Sequence, residues 1–216
     1  MKIKVDIFMD YACPFCYIGH AEFENAIKAL NYEDKIIINY KSFQLDRTAP
    51  DKPKKMEKDS LIEKYGNKDQ VENNINMIVE RGKSLGLEFN FDKIYAQNTF
   101  KAHVIHKLAI EKGLGSEYQK LAFKYLFTDG MFLADNNILI KLASEIGITK
   151  DEVLKALEKD SKYEKEVKMD LLQASHYKLS GVPFFIYNGK YSIKGAQNQG
   201  MFERILKHIE EESEEN

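Results

Sequence analysis

Lys2-Ile3-Lys4-Val5-Asp6-Ile7-Phe8-Met9-Asp10-Tyr11-Ala12-Cys13-Pro14-Phe15-Cys16 is a strand that runs into a turn and then into a helix. Ile3, Val5, Ile7 and Met9 alternate along one face, and Phe8 fills the other face at the end, as in a strand buried on both sides there. Pro14 suits the first position of a helix, where its missing N–H is no loss. Phe15, Ile18, Phe23, Ala26, Ile27 and Leu30 then supply an apolar stripe and predict a helix over 14–30. The β-branched and aromatic run Ile36-Ile37-Ile38-Asn39-Tyr40-Lys41-Ser42-Phe43 predicts a second strand. Strand, helix, strand is a parallel crossover unit.

From Leu45 to Lys178 the pattern changes to successive helices. Ser116 with Gln119, Thr149 with Glu152 and Ser161 with Glu164 have capping-box spacing, and Gly86, Gly113, Gly130 and Gly147 fall where helices should stop. After Gly181, Phe184-Phe185-Ile186-Tyr187 and Tyr191-Ser192-Ile193 flank Asn188-Gly189, a strong hairpin signal. A last helix is expected over about 198–210, with the acidic run from Glu210 to Glu215 as a frayed terminus. Without the helical stretch the order is βαβ–ββα, so the expectation is an α/β thioredoxin fold with a large all-helical insertion. Residues 1–44 and 179–216 would form the thioredoxin-like domain and residues 45–178 the insertion.

The net charge of −2 gives no long-range attraction for nucleic acid, and the lysines around Lys52–Lys58 are interleaved with acids. No apolar run approaches the ~20 residues of a membrane helix. The chain passes from Met1 directly into strand-like sequence, leaving no room for a secretory signal, so a cytoplasmic protein is expected. In that compartment two cysteines are more often catalytic or metal-binding than a structural staple.

Cys13 sits at the positive end of the helix dipole, where free backbone N–H groups favour a thiolate. Cys16, one turn on, can close a disulfide once Cys13 has joined a substrate sulfur. Two other readings compete. Zinc wants four ligands, and this chain has no second cysteine pair, while His103 and His106 read as a packed and a surface residue, so no metal is expected. An inert buried pair is the other. In the proposed topology Pro183 begins a strand antiparallel to the first and falls beside Cys13. A cis Val182–Pro183 bond there would present the Val182 backbone to a peptide pairing as an added strand. Asn98 suits a helix cap or, with Thr99 and His103, could line the groove near the cysteines. His20 lies too far along the helix for proton transfer to Cys13. Asp10 either disfavours a Cys13 thiolate by its charge or only joins a turn.

Cys13-Pro14-Phe15-Cys16-Tyr17-Ile18-Gly19 resembles the active-site signature of DsbA-family, FrnE-like thiol–disulfide oxidoreductases. The likeness continues through Phe43-Gln44-Leu45-Asp46, Asn98-Thr99-Phe100 with Ala102-His103, Gly181-Val182-Pro183-Phe184-Phe185 and Gly195-Ala196-Gln197. It implies Cys13 as nucleophile, Cys16 as resolving thiol and Pro183 as a cis-proline, acting on protein or small-thiol substrates without a cofactor. Pro14, Phe15, Val182, Pro183, Asn98 and His103 are the candidate substrate-binding residues. The related 2-hydroxychromene-2-carboxylate isomerase and kappa-type glutathione transferase group uses glutathione and typically carries serine at the nucleophile position, whereas this chain keeps both cysteines. Glutathione is therefore a co-substrate only in the alternative reading as a small-molecule isomerase or transferase. A third reading is a chaperone-like module that needs neither cysteine. No sequence feature fixes an oligomeric state.

Overall fold

The alternation in residues 3–9 gives β1 (Ile3–Met9), an inner strand of a four-stranded sheet in the computed structural model, which describes residues 2–214. Helix α1 (Pro14–Leu30) carries the chain to β2 (Ile36–Ser42), parallel to β1 in the register Ile3↔Ile36 to Met9↔Ser42. The chain then leaves the sheet for α2 (Glu57–Tyr65), α3 (Lys68–Ser84), a 3-10 turn (Phe91–Lys93), α4 (Phe100–Glu111), α5 (Gly115–Phe127), α6 (Asn136–Glu145), α7 (Lys150–Ala156) and α8 (Lys162–His176). It returns as β3 (Phe184–Tyr187) and β4 (Tyr191–Lys194), and ends in α9 (Gln199–Glu214). Strand β3 is antiparallel to β1, with Ile7 opposite Phe185 and Phe8 opposite Phe184. The sheet order β2-β1-β3-β4 is thus the expected thioredoxin arrangement, with helices inserted between β2 and β3. Asn188 and Gly189, with φ of 50° and 68°, make the tight turn between β3 and β4 that needs two left-handed residues.

Two cores meet along β1, one at its start and middle and one at its end. Ile3, Val5 and Ile7 face α1 and α9, where Phe23, Phe185 and Phe202 meet with ring centroids 4.9–5.5 Å apart. Such aromatic contacts add to the free energy of burial. Met9, Cys13, Cys16 and Ile18 belong to the second core, which is continuous with the inserted helices. Helix α4 is its axis, buried without interruption from Ala102 to Ala109. A polar bridge ties this axis to the sheet. Lys107 reaches the Tyr40 carbonyl at 2.9 Å and Asp170 at 2.5 Å, and Asp170 also takes the Ser42 N–H at 2.8 Å and Lys41 at 3.2 Å.

Several local expectations change. Ser116 does not cap α5, which begins two residues earlier, at Gly115 behind Leu114, without a side-chain cap. Thr149 and Glu152 do form the capping box, whereas the Ser161 cap is closed by Glu164 accepting from Asp160 instead. His106 is buried, not at the surface, because it fills the space between Tyr11, Tyr40 and Tyr118 and bonds the Gly115 carbonyl at 3.0 Å. The acidic end is not frayed from Glu210 onward: α9 continues through Glu214. Glu210 is held by Lys35 and Tyr32, and Glu212 by Lys190 and Tyr191. Glu215 lies outside the described residues. Among the described residues no helix is long and apolar enough to cross a membrane.

Two predictions follow from the buried polar groups. Asp170→Ala leaves the Lys107 ammonium buried without its counter-charge and is expected to lower stability by about 3–5 kcal/mol in urea unfolding. His20, buried with Nε2 2.7 Å from the Tyr40 hydroxyl, is held down to about 4, chiefly by burial. The unfolded chain therefore binds a proton there that the folded chain refuses between pH ~6.5 and about 4. Stability falls as pH drops through that window. His20→Gln should reduce the slope by up to about 1.4 kcal/mol per pH unit in unfolding curves measured across it.

Candidate functional site

The turn after β1 is built around one carboxylate. Asp10 is 1% exposed, and Oδ1 accepts from the Thr99 hydroxyl at 2.7 Å and the Ala12 N–H at 3.2 Å. Its Oδ2 accepts from the Leu45 N–H at 2.7 Å, and its own carbonyl accepts from the Cys13 N–H at 3.1 Å. One acid thus joins the end of β1, the cysteine turn, the segment after β2 and the start of α4. Behind it Tyr11 is fully buried among His103, His106, Tyr118 and Phe123, at ring distances of 5.0–6.1 Å. Burial raises the Tyr11 hydroxyl well above its usual range.

Cys13 is the N-cap of α1, extended at φ −96° and ψ 108°, and no side chain caps the helix. The first-turn N–H groups are therefore not taken by a capping side chain, and no acid stands in the first turn of α1. The Cys16 N–H bonds the Cys13 carbonyl at 3.0 Å, which brings the two side chains to the same side of the turn. Both thiols are free. The Cys13 thiol points at the Val182 carbonyl, 3.5 Å away, and the Val182–Pro183 peptide is cis. The likeness implies an exposed Cys13, but both sulfurs are buried, Cys13 4% and Cys16 2% exposed, because the Val182 loop lies over the turn. Only Cys13 reaches a cleft, and burial and its contact with Cys13 push the Cys16 thiol well above the ordinary range. On α1, Gly19 lets the helix approach this loop closely. A Cβ there would stand 3.0 Å from Pro183 Cγ and 3.3 Å from Ala196 Cα.

Cys13, Pro14 and Phe15 line a cleft of about 550 Å³ between the cysteine turn and α2, α3 and the 3-10 turn. Its apolar lining includes Leu61, Val71, Ile75, Ile78 and Phe91, and Cys16 does not reach it. The sequence expectations for this region divide. The Val182 carbonyl stands at the Cys13 sulfur and Pro183 packs over Gly19 of α1, although neither residue lines the cleft. Asn98 does not line the cleft. Its Oδ1 caps the Phe100 N–H at 2.9 Å and accepts from Gln44, and its amide reaches the Arg47 and Ala49 carbonyls, because the start of α4 and the segment after β2 share it. His103 is also absent from the cleft: it is 1% exposed, packed on Tyr11 and 3.5 Å from Asp10. Among the described residues no group of three or more His, Cys, Asp or Glu side chains could hold a metal ion.

Sequence reasoning left Asp10 undecided and did not find the α2–α3 wall of the cleft. The acid directly before the cysteine turn was the available signal for Asp10, but its partners come from residues 45 and 99.

Residues 4–207 match the family model described as a DSBA-like thioredoxin domain. YwbO of Bacillus subtilis (strain 168) is 28% identical over 212 residues, 95% of this chain and 96% of that protein. The crystal structure of the "probable DsbA oxidoreductase SCO1869" from Streptomyces coelicolor is 28% identical. It aligns over 95% of this chain and 89% of its own with a TM-score of 0.88. The cytosolic disulfide reductase DsbM from Pseudomonas aeruginosa, solved with GSH, shares the fold at 13% identity, covering 95% of this chain and 98% of its own with a TM-score of 0.66. A cysteine turn anchored by a buried acid, on a sheet of this order and with a family match along nearly its whole length, makes the chain a member of the DSBA-like thioredoxin domain family.

Proposed function

We propose that the protein is a thiol–disulfide oxidoreductase that works through Cys13 and Cys16. The observation that carries this reading is the asymmetry of a buried pair: Cys13, at a helix start, lines the cleft, while Cys16 does not reach it and has a thiol that burial keeps protonated. A Cys13 thiolate attacks a substrate disulfide, forms one mixed S–S bond and expels the first substrate thiolate. Cys16, losing its proton, then attacks Cys13 Sγ. It releases the second substrate thiolate and leaves the intramolecular disulfide. The substrate gains two electrons and the protein loses two; run backwards, the same steps oxidise a dithiol. Pro14, Phe15, Val182 and Pro183 frame the attacked sulfur, and the Val182 backbone is offered to an extended peptide. The cytoplasmic setting expected from the sequence belongs to this reading, since two cysteines in one redox pair leave no structural disulfide to be kept oxidised.

Phe15 occupies the dipeptide without a positive charge that would further stabilise the thiolate. A potential near the middle of the ~−270 to −120 mV span of thioredoxin-fold proteins is therefore expected. Equilibration in glutathione redox buffers, alkylation and mass measurement should give a reversible two-thiol transition in that range. Cys13→Ser should abolish insulin reduction, and Cys16→Ser should trap a mixed disulfide with substrate. Retained activity in Cys13→Ser rejects the assignment.

The second reading is the glutathione-dependent isomerase or transferase acting on a small molecule; a protein of the same fold, DsbM, was solved with GSH. The same titration separates the two. A protein that adds one glutathione and never closes Cys13–Cys16 is a glutathione enzyme.

A further inference from the structure

The charges around the cleft are unequal in number and in how they are satisfied. Asp10, Asp46, Glu57 and Glu63 line it against a single cation, Lys64. Asp10 is held by Thr99, Ala12 and Leu45, Asp46 accepts from Thr48, and Glu63 is paired with Lys55. Glu57 differs. It is the first residue of α2, half-buried, and among the described residues nothing donates a hydrogen bond to its carboxylate or pairs with it. Burial raises its affinity for a proton; Lys64 opposes this, and the charges of Asp10 and Asp46 add to it. A cation brought into the cleft would relieve a partly desolvated and unpaired negative charge, whereas an anion would add to the repulsion.

The other walls say what carries that cation. Leu61, Val71, Ile75, Ile78 and Phe91 form an apolar floor, and about 550 Å³ lies within the range of roughly 300–1,000 Å³ that bound ligands fill. On the opposite side of Cys13 the Val182 carbonyl faces the sulfur, and the Val182 N–H donates to no described residue, so backbone hydrogen bonding is open there. Together these suit a polypeptide better than a compact thiol.

Resting on the oxidoreductase reading above, we propose that the cleft selects a disulfide-bearing peptide segment with an apolar residue and a lysine or arginine beside its cysteine, and that Glu57 receives the positive charge. The exchange is unchanged: Cys13 Sγ forms one S–S bond as the substrate S–S bond breaks. The acidic rim disfavours anionic partners, glutathione among them.

The test uses the full-length reduced protein and two peptides, Ac-Leu-Cys-Lys-NH2 and Ac-Leu-Cys-Glu-NH2, each as its mixed disulfide with 2-thiopyridine. Release of 2-thiopyridone gives the rate, normalised to the rate of each peptide with 2-mercaptoethanol. At low salt the lysine peptide should react about tenfold faster, the scale of about one favourable charge contact. In Glu57→Gln the preference should fall below about threefold. Glu63→Gln, whose carboxylate is already paired, should keep most of it. The neutral reagent 2-hydroxyethyl disulfide should react equally with wild type and Glu57→Gln, which also shows that the variant is folded. Equal peptide rates in wild type, a faster glutamate peptide, or a preference that survives Glu57→Gln overturns the proposal while leaving the oxidoreductase reading intact. Failure of the neutral disulfide to react at Cys13 overturns that reading itself.

Discussion

A carboxylate buried at the end of a central strand has to be surrounded by donors, because an unmatched charge in the interior costs several kcal/mol. Asp10 meets that requirement with hydrogen bonds from three places: its own turn, the segment after β2 and the start of α4. Each donor fixes the path of a different part of the chain. The turn that presents Cys13, the exit from the sheet and the first turn of α4 therefore take their positions from one group. Asn98 adds a second set of bonds between the same two segments. Residues of the likeness that lie far apart in the sequence, Asn98 and Thr99 among them, are brought together here to support the cysteine turn.

From that anchor the two cores divide their tasks. The one between the sheet, α1 and α9 is aromatic and closed. The other runs from Cys13 and Cys16 into the inserted helices, so the helix bearing the cysteines is packed by both. The insertion is thus part of the site's architecture. Its α2 and α3 form the far wall of the cleft, and α4 holds Lys107, His103 and Thr99 near the sheet. A small shift of α4 would be felt at β2 through Asp170 and at the cysteine turn through Asp10.

The sequence was legible where local pattern decides structure. The span of α1, the parallel partner of β1, the Asn188–Gly189 hairpin and the meeting of Pro183 with the cysteine turn all follow from periodicity and chain topology. It was illegible where partners come from far away. Whether Asp10 faced the thiol or the interior depended on donors 35 and 89 residues distant. His106 carries no mark of burial, since the space it fills is made by tyrosines from the cysteine turn, β2 and α5. The acidic end read as solvated because Lys35, Tyr32, Lys190 and Tyr191 are not its sequence neighbours. Glu57 is one of the acids interleaved with the lysines around Lys52–Lys58, and only the wall it stands in separates it from Asp59.

The contact between Cys13 and Val182 spans 169 residues. A ribosome adds roughly 5–20 residues per second, so the cysteine pair is synthesised about 8–34 s before the segment that lies over it. During that interval the nascent chain has both thiols but neither the loop that covers Cys13 nor the strand that closes β1 on its other side. Newly made chains of this protein thus leave both sulfurs uncovered, whereas in the finished molecule both are buried and only Cys13 borders the cleft.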